Sequence, residues 1–308
     1  MKRSPKIKNL SILFNTGYLQ DHEFGVNCFF SLNGFKNLTS LELYSFYGDS
    51  SELSNDITNT LTECPALKTL GLSVACCLDT EFLPDARGVG KELDFMEKIC
   101  VEYGSRALVS PLQLDTLRLG KGMFLYDLCE PRSCYGRIGQ YLSKLIKTDR
   151  LKTFHIYNGL ITGELGVENE FLDLGWSHLE GFKSLKQLSV TLIGKDVLNW
   201  LNTAGNSVEE LIVTEHYGMY DDDLDNFYPL RLPRLSMLFI REMVGYRRSM
   251  YSYWEDEDSS KLSTMLRPSC ITVLDRLYDN GAQLTRLGLC LDLKSQWVCS
   301  ITTCFGTN

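Results

Sequence analysis

The chain is short of the parts from which active sites are built. Among its 308 residues histidine occurs only four times, at His22, His155, His178 and His216, and no two stand at metal-ligand spacing. No Cys-x-x-Cys pair and no Gly-x-Ser-x-Gly nucleophile elbow occur. Gly88-Val89-Gly90-Lys91-Glu92 approaches a phosphate-binding loop, but the first glycine is missing and Glu92 stands where Ser or Thr would hold magnesium. Asp221, Asp223 and Asp225 have the spacing of a calcium loop, yet Asn226 and Leu232 occupy the positions that need glycine and glutamate. These absences set the expectation of a non-enzyme with no catalytic residue, no metal and no cofactor.

Other scarcities exclude other classes. No run of 18 apolar residues exists, so no membrane span is expected and no membrane partner. Basic residues are outnumbered, 31 Lys and Arg against 39 Asp and Glu, for a net charge of −8. A nucleic-acid binder normally carries a basic face, so no nucleic-acid partner is expected. The eleven cysteines are odd in number and scattered, and Cys64, Cys100 and Cys290 sit at apolar-patterned positions. They read as buried thiols of a reducing compartment, cytoplasmic or nuclear, and not as the disulfide framework of a secreted protein. The basic stretch from Met1 to Lys6 is interrupted by Lys8 and Asn9 and lacks a cleavage site, so no signal peptide is expected. The sequons at Asn9 and Asn37 fall at predicted strand starts and are discounted.

What the sequence does have is leucine at a fixed spacing. Leu38-Thr39-Ser40-Leu41-Glu42-Leu43 carries leucine at positions 1, 4 and 6, and Leu67-Lys68-Thr69-Leu70-Gly71-Leu72 repeats it. Positions 4 and 6 alternate with polar residues, which is the period of a half-buried strand, with the first leucine at the bend before it. The all-leucine form recurs from Leu114 and Leu284. Looser forms begin at Ile7, Leu151, Leu185, Val208 and Leu235, which makes nine candidate strands at offsets between 23 and 49 residues. Such offsets leave room for the crossovers that parallel strands require.

Helical stripes fill several of the gaps. Leu53, Ile57, Leu61 and Cys64 form one, with Ser54 or Asn55 as the expected cap and Pro65 as the stop. Leu93, Met96, Cys100 and Tyr103 form the next; Ile138, Leu142, Leu145 and Ile146 precede the fifth strand. Val197, Leu198 and Leu201 precede the seventh, and Ile271, Leu274, Leu277 and Tyr278 the ninth, where Asn280-Gly281 supplies a stop. A strand and a helix of this size cannot bury their apolar faces alone and must stack on neighbours. The expected fold class is therefore α/β: a solenoid, or horseshoe, with a parallel concave sheet and helices on the convex side. It forms one irregular domain over residues 1–308, of about nine repeats.

Two insertions interrupt the array, one between Leu72 and Leu114 and one between Ile240 and Leu284. The second holds a loop at residues 245–260 in which Arg247, Tyr251, Tyr253 and Trp254 run into the acidic stretch from Glu255 to Asp258. Arginine with aromatics is an interface composition, so these four are candidate partner-binding residues; a loop that merely tucks its aromatics away is the alternative. Residues 294–308, with Trp297, Val298, Ile301 and Phe305, read as a cap on the last strand or as the stump of a longer protein.

Phrases such as Leu61-Thr62-Glu63-Cys64-Pro65-Ala66-Leu67-Lys68-Thr69-Leu70 and Leu232-Pro233-Arg234-Leu235-Ser236-Met237-Leu238 resemble the leucine-rich repeats of F-box proteins, in their divergent fungal form. The resemblance covers about residues 5 to 293. It implies a curved repeat scaffold that captures proteins for ubiquitination, with a separate F-box docking the ligase adaptor. The sequence departs from that pattern. Only six residues precede Ile7, too few for an F-box, and the asparagine common after leucine-rich strands occurs only as Asn15.

If the strands form one sheet, positions 3, 5 and 7 of each repeat point to its open face. That face starts small and polar and becomes more apolar towards Ile212, Met237 and Phe239. Tyr44, Arg118, His155, Tyr157, Phe239 and Arg241 are the candidate partner-binding residues there, because aromatic and arginine side chains dominate interface energetics. The expected function is a protein–protein interaction scaffold, as the substrate-recognition part of an F-box-like ubiquitin-ligase receptor. The alternatives are a stand-alone binding or inhibitor protein and an enzyme with an unrecognised site.

Overall fold

A computed structural model describes residues 6–13, 35–46, 50–74, 95–106, 110–120, 138–157, 181–191, 195–216, 232–242, 277–279 and 282–290. Among the described residues there are nine strands, and each begins two residues after position 1 of a repeat. They are β1 (Asn9–Leu13), β2 (Ser40–Phe46), β3 (Thr69–Val74), β4 (Thr116–Leu119), β5 (Thr153–Ile156), β6 (Gln187–Val190), β7 (Glu210–His216), β8 (Met237–Glu242) and β9 (Arg286–Cys290). They form one all-parallel sheet whose spatial order is the order of the sequence, β1 to β9.

Over motif positions 3 to 6 register is the same at every junction, with Leu41 beside Leu70, Leu117 beside Phe154 and Leu211 beside Leu238; it shifts only later, after Leu43 in β2 and after Val213 in β7. Backbone hydrogen bonds repeat with it. The carbonyl at position 2 of one repeat accepts from the N–H groups of positions 2 and 3 of the next. Lys68 and Thr69 donate to Thr39, Lys186 and Gln187 to Lys152, and Thr285 and Arg286 to Ser236. All eight junctions carry this double donation, beginning at Lys8. A unit that recurs in both side-chain pattern and backbone bonding is what a repeat array requires.

The crossovers hold α1 (Ser50–Glu63), α2 (Phe95–Gly104), α3 (Ile138–Leu145) and α4 (Lys195–Ala204). Neighbouring helices α1, α2 and α3 touch in series. Ile57, Leu61, Met96, Cys100, Leu142, Leu145, Val197 and Leu201 of these helices share one buried cluster with the strand residues at positions 4 and 6 of β2 to β8, and Leu10, Ile12 and Leu287 pack against it partly buried. The position-1 residues Leu38, Leu67, Leu114, Leu151, Leu185, Val208 and Leu235 are buried just ahead of their strands, as the motif requires. Position 1 of the first repeat, Ile7, is 36% exposed; among the described residues β1 pairs with β2 alone.

Three expectations need correction. The first helix does not start at Ser54 or Asn55 but at Ser50. Ser54 is fully buried inside the helix, where it and Thr58 donate to the Glu102 carboxylate of α2. Tyr278 is 80% exposed and does not join Leu277 in the core; adjacent residues of a helix diverge by about 100°, so both cannot lie on one narrow stripe. The aromatic core is larger than the stripes suggest, since Phe182, ahead of β6, and Trp200, in α4, are both buried. Among the cysteines, Cys64 and Cys100 are buried thiols, and Cys64 donates from Sγ to the Phe35 carbonyl. The loop at residues 245–260, Ile271, Leu274, Asn280, Gly281, Leu93 and the stretch 294–308 lie outside the described residues.

A candidate interaction face on the open side of the sheet

The leucines at positions 4 and 6 point one way, so positions 3 and 5 must point the other. Register makes two rows of them across the sheet. The position-5 row runs Ser11, Glu42, Gly71, Arg118, His155, Ser189, Ile212, Phe239 and Gly288. The position-3 row includes Thr153, Gln187, Glu210, Met237 and Arg286.

In the first row the Arg118 guanidinium reaches over β3 and donates to Glu42 Oε1 at 2.7 Å. The reach is possible because the intervening residue is Gly71. A Cβ there would lie 2.5 Å from the Tyr44 hydroxyl oxygen and 3.1 Å from Glu42 Cγ. The same gap admits the Tyr44 hydroxyl, which donates to Glu42 Oε2 at 3.1 Å. Burial raises the Tyr44 pKa, and the Glu42 charge and hydrogen bond raise it further, so the phenol stays protonated and a donor.

His155 continues the row beside Arg118. Its pKa is lowered, first by burial and then by the Arg118 charge, against a hydrogen bond to Gln187 that favours the imidazolium. The imidazole is therefore neutral at pH 7. Gln187 also donates from Nε2 to Glu210 Oε2 at 3.1 Å, and Arg286 pairs with Glu210 Oε1 at 2.5 Å across β8. Two polar relays thus lie side by side on the face, Tyr44–Glu42–Arg118 and His155–Gln187–Glu210–Arg286, each with an arginine–carboxylate pair that spans an intervening strand.

The apolar end of the face lies beside the second of these relays. Ile212, Met237 and Phe239 are partly exposed and Arg241 is exposed. Phe239 leans towards β9, where a Cβ on Gly288 would meet its Cδ2 at 2.5 Å. Here too a glycine supplies the space for a large neighbour. Tyr157 follows β5 at the far end of the face; it is partly exposed, and its backbone N–H donates to Leu119.

All six face candidates are therefore described: Tyr44, Arg118, His155, Phe239 and Arg241 alternate with the leucines within their strands, and Tyr157 follows β5. Arg118 and Tyr44 are fastened to Glu42, which sequence reasoning placed on the face but not among the candidates. Gln187, Glu210 and Arg286 were also passed over, although opposite charges at one motif position two repeats apart carried the signal. The face is less open than alternation implies. Gly71, Ser73, Ser189 and Thr191 are buried, because small side chains are overshadowed by larger neighbours on the same surface. The loop candidates Arg247, Tyr251, Tyr253 and Trp254 lie outside the described residues.

The depressed His155 pKa has a pH consequence. The unfolded chain takes up this proton near pH 6.5, and the folded chain only at lower pH, so folding stability falls as pH drops below about 6.5. Denaturant titrations of the wild type and His155→Gln at pH 7.5 and pH 5 should show a smaller loss in the variant. Equal losses would mean that His155 does not contribute to acid sensitivity.

Among the described residues no group of three His, Cys, Asp or Glu could hold a metal ion, and no helix is long and apolar enough to cross a membrane. Comparison with protein-family models, with curated proteins and with solved structures returned no match.

Proposed function

We propose that the chain is a protein-interaction scaffold of the leucine-rich-repeat kind, a curved solenoid whose open sheet face receives a protein partner. The observation that supports this most is the two pre-set arginine–carboxylate pairs, Arg118–Glu42 and Arg286–Glu210, on the same face as partly exposed Ile212, Met237 and Phe239. Arginines held in place by carboxylates lose little freedom on docking, and aromatic residues beside them supply desolvated contact area. In this reading Glu42 and Glu210 serve to orient arginines and not to move protons, which favours a binder over an enzyme. The narrower version follows from the resemblance to F-box leucine-rich repeats: the partner is a ubiquitination substrate, and an F-box supplied with this region docks the ligase adaptor. A stand-alone binder or inhibitor is the other version.

Affinity capture followed by mass spectrometry tests the face. Tyr157→Ala and Phe239→Ala, which truncate partly exposed side chains after β5 and on β8, should each reduce the yield of specific partners about tenfold, equivalent to about 1.4 kcal/mol, as expected for interface anchors. Partners that are unchanged in both variants would remove the face from consideration. Recovery of ligase adaptor subunits would favour the receptor version, and partners without adaptor the stand-alone binder.

A further inference from the structure

A second surface lies at the start of the strands, away from the open face. The segments that lead into β5, β6, β7 and β8 surround a recess of about 270 Å³, lined by Lys152, Lys183, Ser184, Lys186, Ser207, Glu209 and Arg234. Four cations converge there in a chain whose net charge is −8.

Two of the four are already compensated. Lys152 pairs with Asp115 at 2.9 Å and Lys186 with Glu209 at 3.0 Å. Lys183 and Arg234 have no ion-pair partner among the described residues and remain a locally positive pair. The recess also holds an unmet hydrogen bond. Ser207 ends the 3₁₀ turn Gly205–Ser207, and its Oγ is buried with no partner. Buried hydroxyls are nearly always bonded, so Ser207 is a donor beside the recess that the described residues leave unused.

We propose that this recess binds a phosphate monoester. A dianion there meets a lysine ammonium, an arginine guanidinium and the exposed Ser184 hydroxyl, donors that phosphate oxygens take, with the unused Ser207 hydroxyl beside them. The recess is wide and open to solvent, which suits a phosphate carried at the end of a larger molecule. Two sources share this chemistry, a phosphorylated protein segment and a small phosphorylated metabolite, and the repeated backbone frame around the recess serves either. The site does not depend on the open face, so each can fail without the other.

The test uses the full chain, a phosphoserine tripeptide, its unphosphorylated form, and glycerol phosphate, titrated at 50 mM salt and followed by calorimetry. The wild type should bind the phosphopeptide saturably and ignore the unphosphorylated one. Lys183→Ala/Arg234→Ala should weaken binding at least tenfold, whereas Lys36→Ala/Lys147→Ala, which removes the same charge elsewhere, should change it less than threefold. All four positions are exposed, and circular dichroism checks that the fold is kept. Raising the salt to 0.5 M should weaken binding, because exposed charges are screened over a few ångströms there. Binding of glycerol phosphate as tightly as the phosphopeptide would assign the site to a metabolite; preference for the peptide would assign it to a protein segment. No saturable binding of either phosphate compound, or equal affinity in the wild type and Lys183→Ala/Arg234→Ala, would overturn the proposal.

Discussion

Phe154→Ala should cost about 3–5 kcal/mol of folding stability, the range for truncating a fully buried aromatic that its surroundings cannot replace. Its ring is fully buried on β5, opposite Leu117 on one side and Leu188 on the other. It meets the Phe182 ring edge-on at 5.3 Å between centroids, and Phe182 meets Trp200 of α4 at 6.3 Å. Three aromatic side chains therefore join a strand, the turn that follows it in space, and the next helix. Against a total of roughly 5–15 kcal/mol, a loss of that size is a large share. Urea titration of the variant measures it directly. Phe154→Leu keeps most of the volume and should cost less than about 1.5 kcal/mol. A cost below 1 kcal/mol for the alanine variant would mean that the aromatic chain does not hold these repeats together.

Ser189→Pro should cost at least about 3 kcal/mol, whereas Ser189→Ala should be close to neutral. Ser189 sits in the middle of β6, which is bonded to β5 and to β7. Proline cannot donate to a central ladder and its ring crowds the neighbouring backbone. Each repeat is stabilised mainly by its neighbours, so a cut at β6 should separate the two sides of the array. Denaturation of Ser189→Pro followed by fluorescence and by circular dichroism should give non-coincident transitions. A single coincident transition at the wild-type midpoint would show that the ladder at β6 contributes little.

The strands were legible because the leucine spacing states both the period and the buried side. Leu41 and Leu43, or Leu117 and Leu119, can be assigned to the core without any knowledge of their neighbours. Polar residues were harder, because their partners lie far along the chain. Ser54 looked like a cap, since a serine before an apolar stripe usually is one. It sits inside the helix because Glu102, 48 residues later, accepts its hydrogen bond. Glu42 and Arg118 are separated by 76 residues, as are Glu210 and Arg286. Neither pair can be inferred until the register is known, and the role of Gly71 as a gap between two long side chains depends on that register too. The recess at the strand starts could not be read at all, since its lining comes from four consecutive repeats and carries no motif.

The uniform register bears on how the connecting segments can vary. From Gln187 to Glu210 the chain takes 23 residues to reach the equivalent place in the next strand, and from Met237 to Arg286 it takes 49. Both crossings arrive in the same alignment, with the same doubled hydrogen bond at the strand start. Strand placement is thus set by the ladder and is indifferent to how much chain lies between rungs. Closing a longer loop costs only slowly growing entropy, so a connector can lengthen or change sequence while the face keeps its geometry. The sheet serves as a fixed frame into which new connectors can be spliced, one crossing at a time.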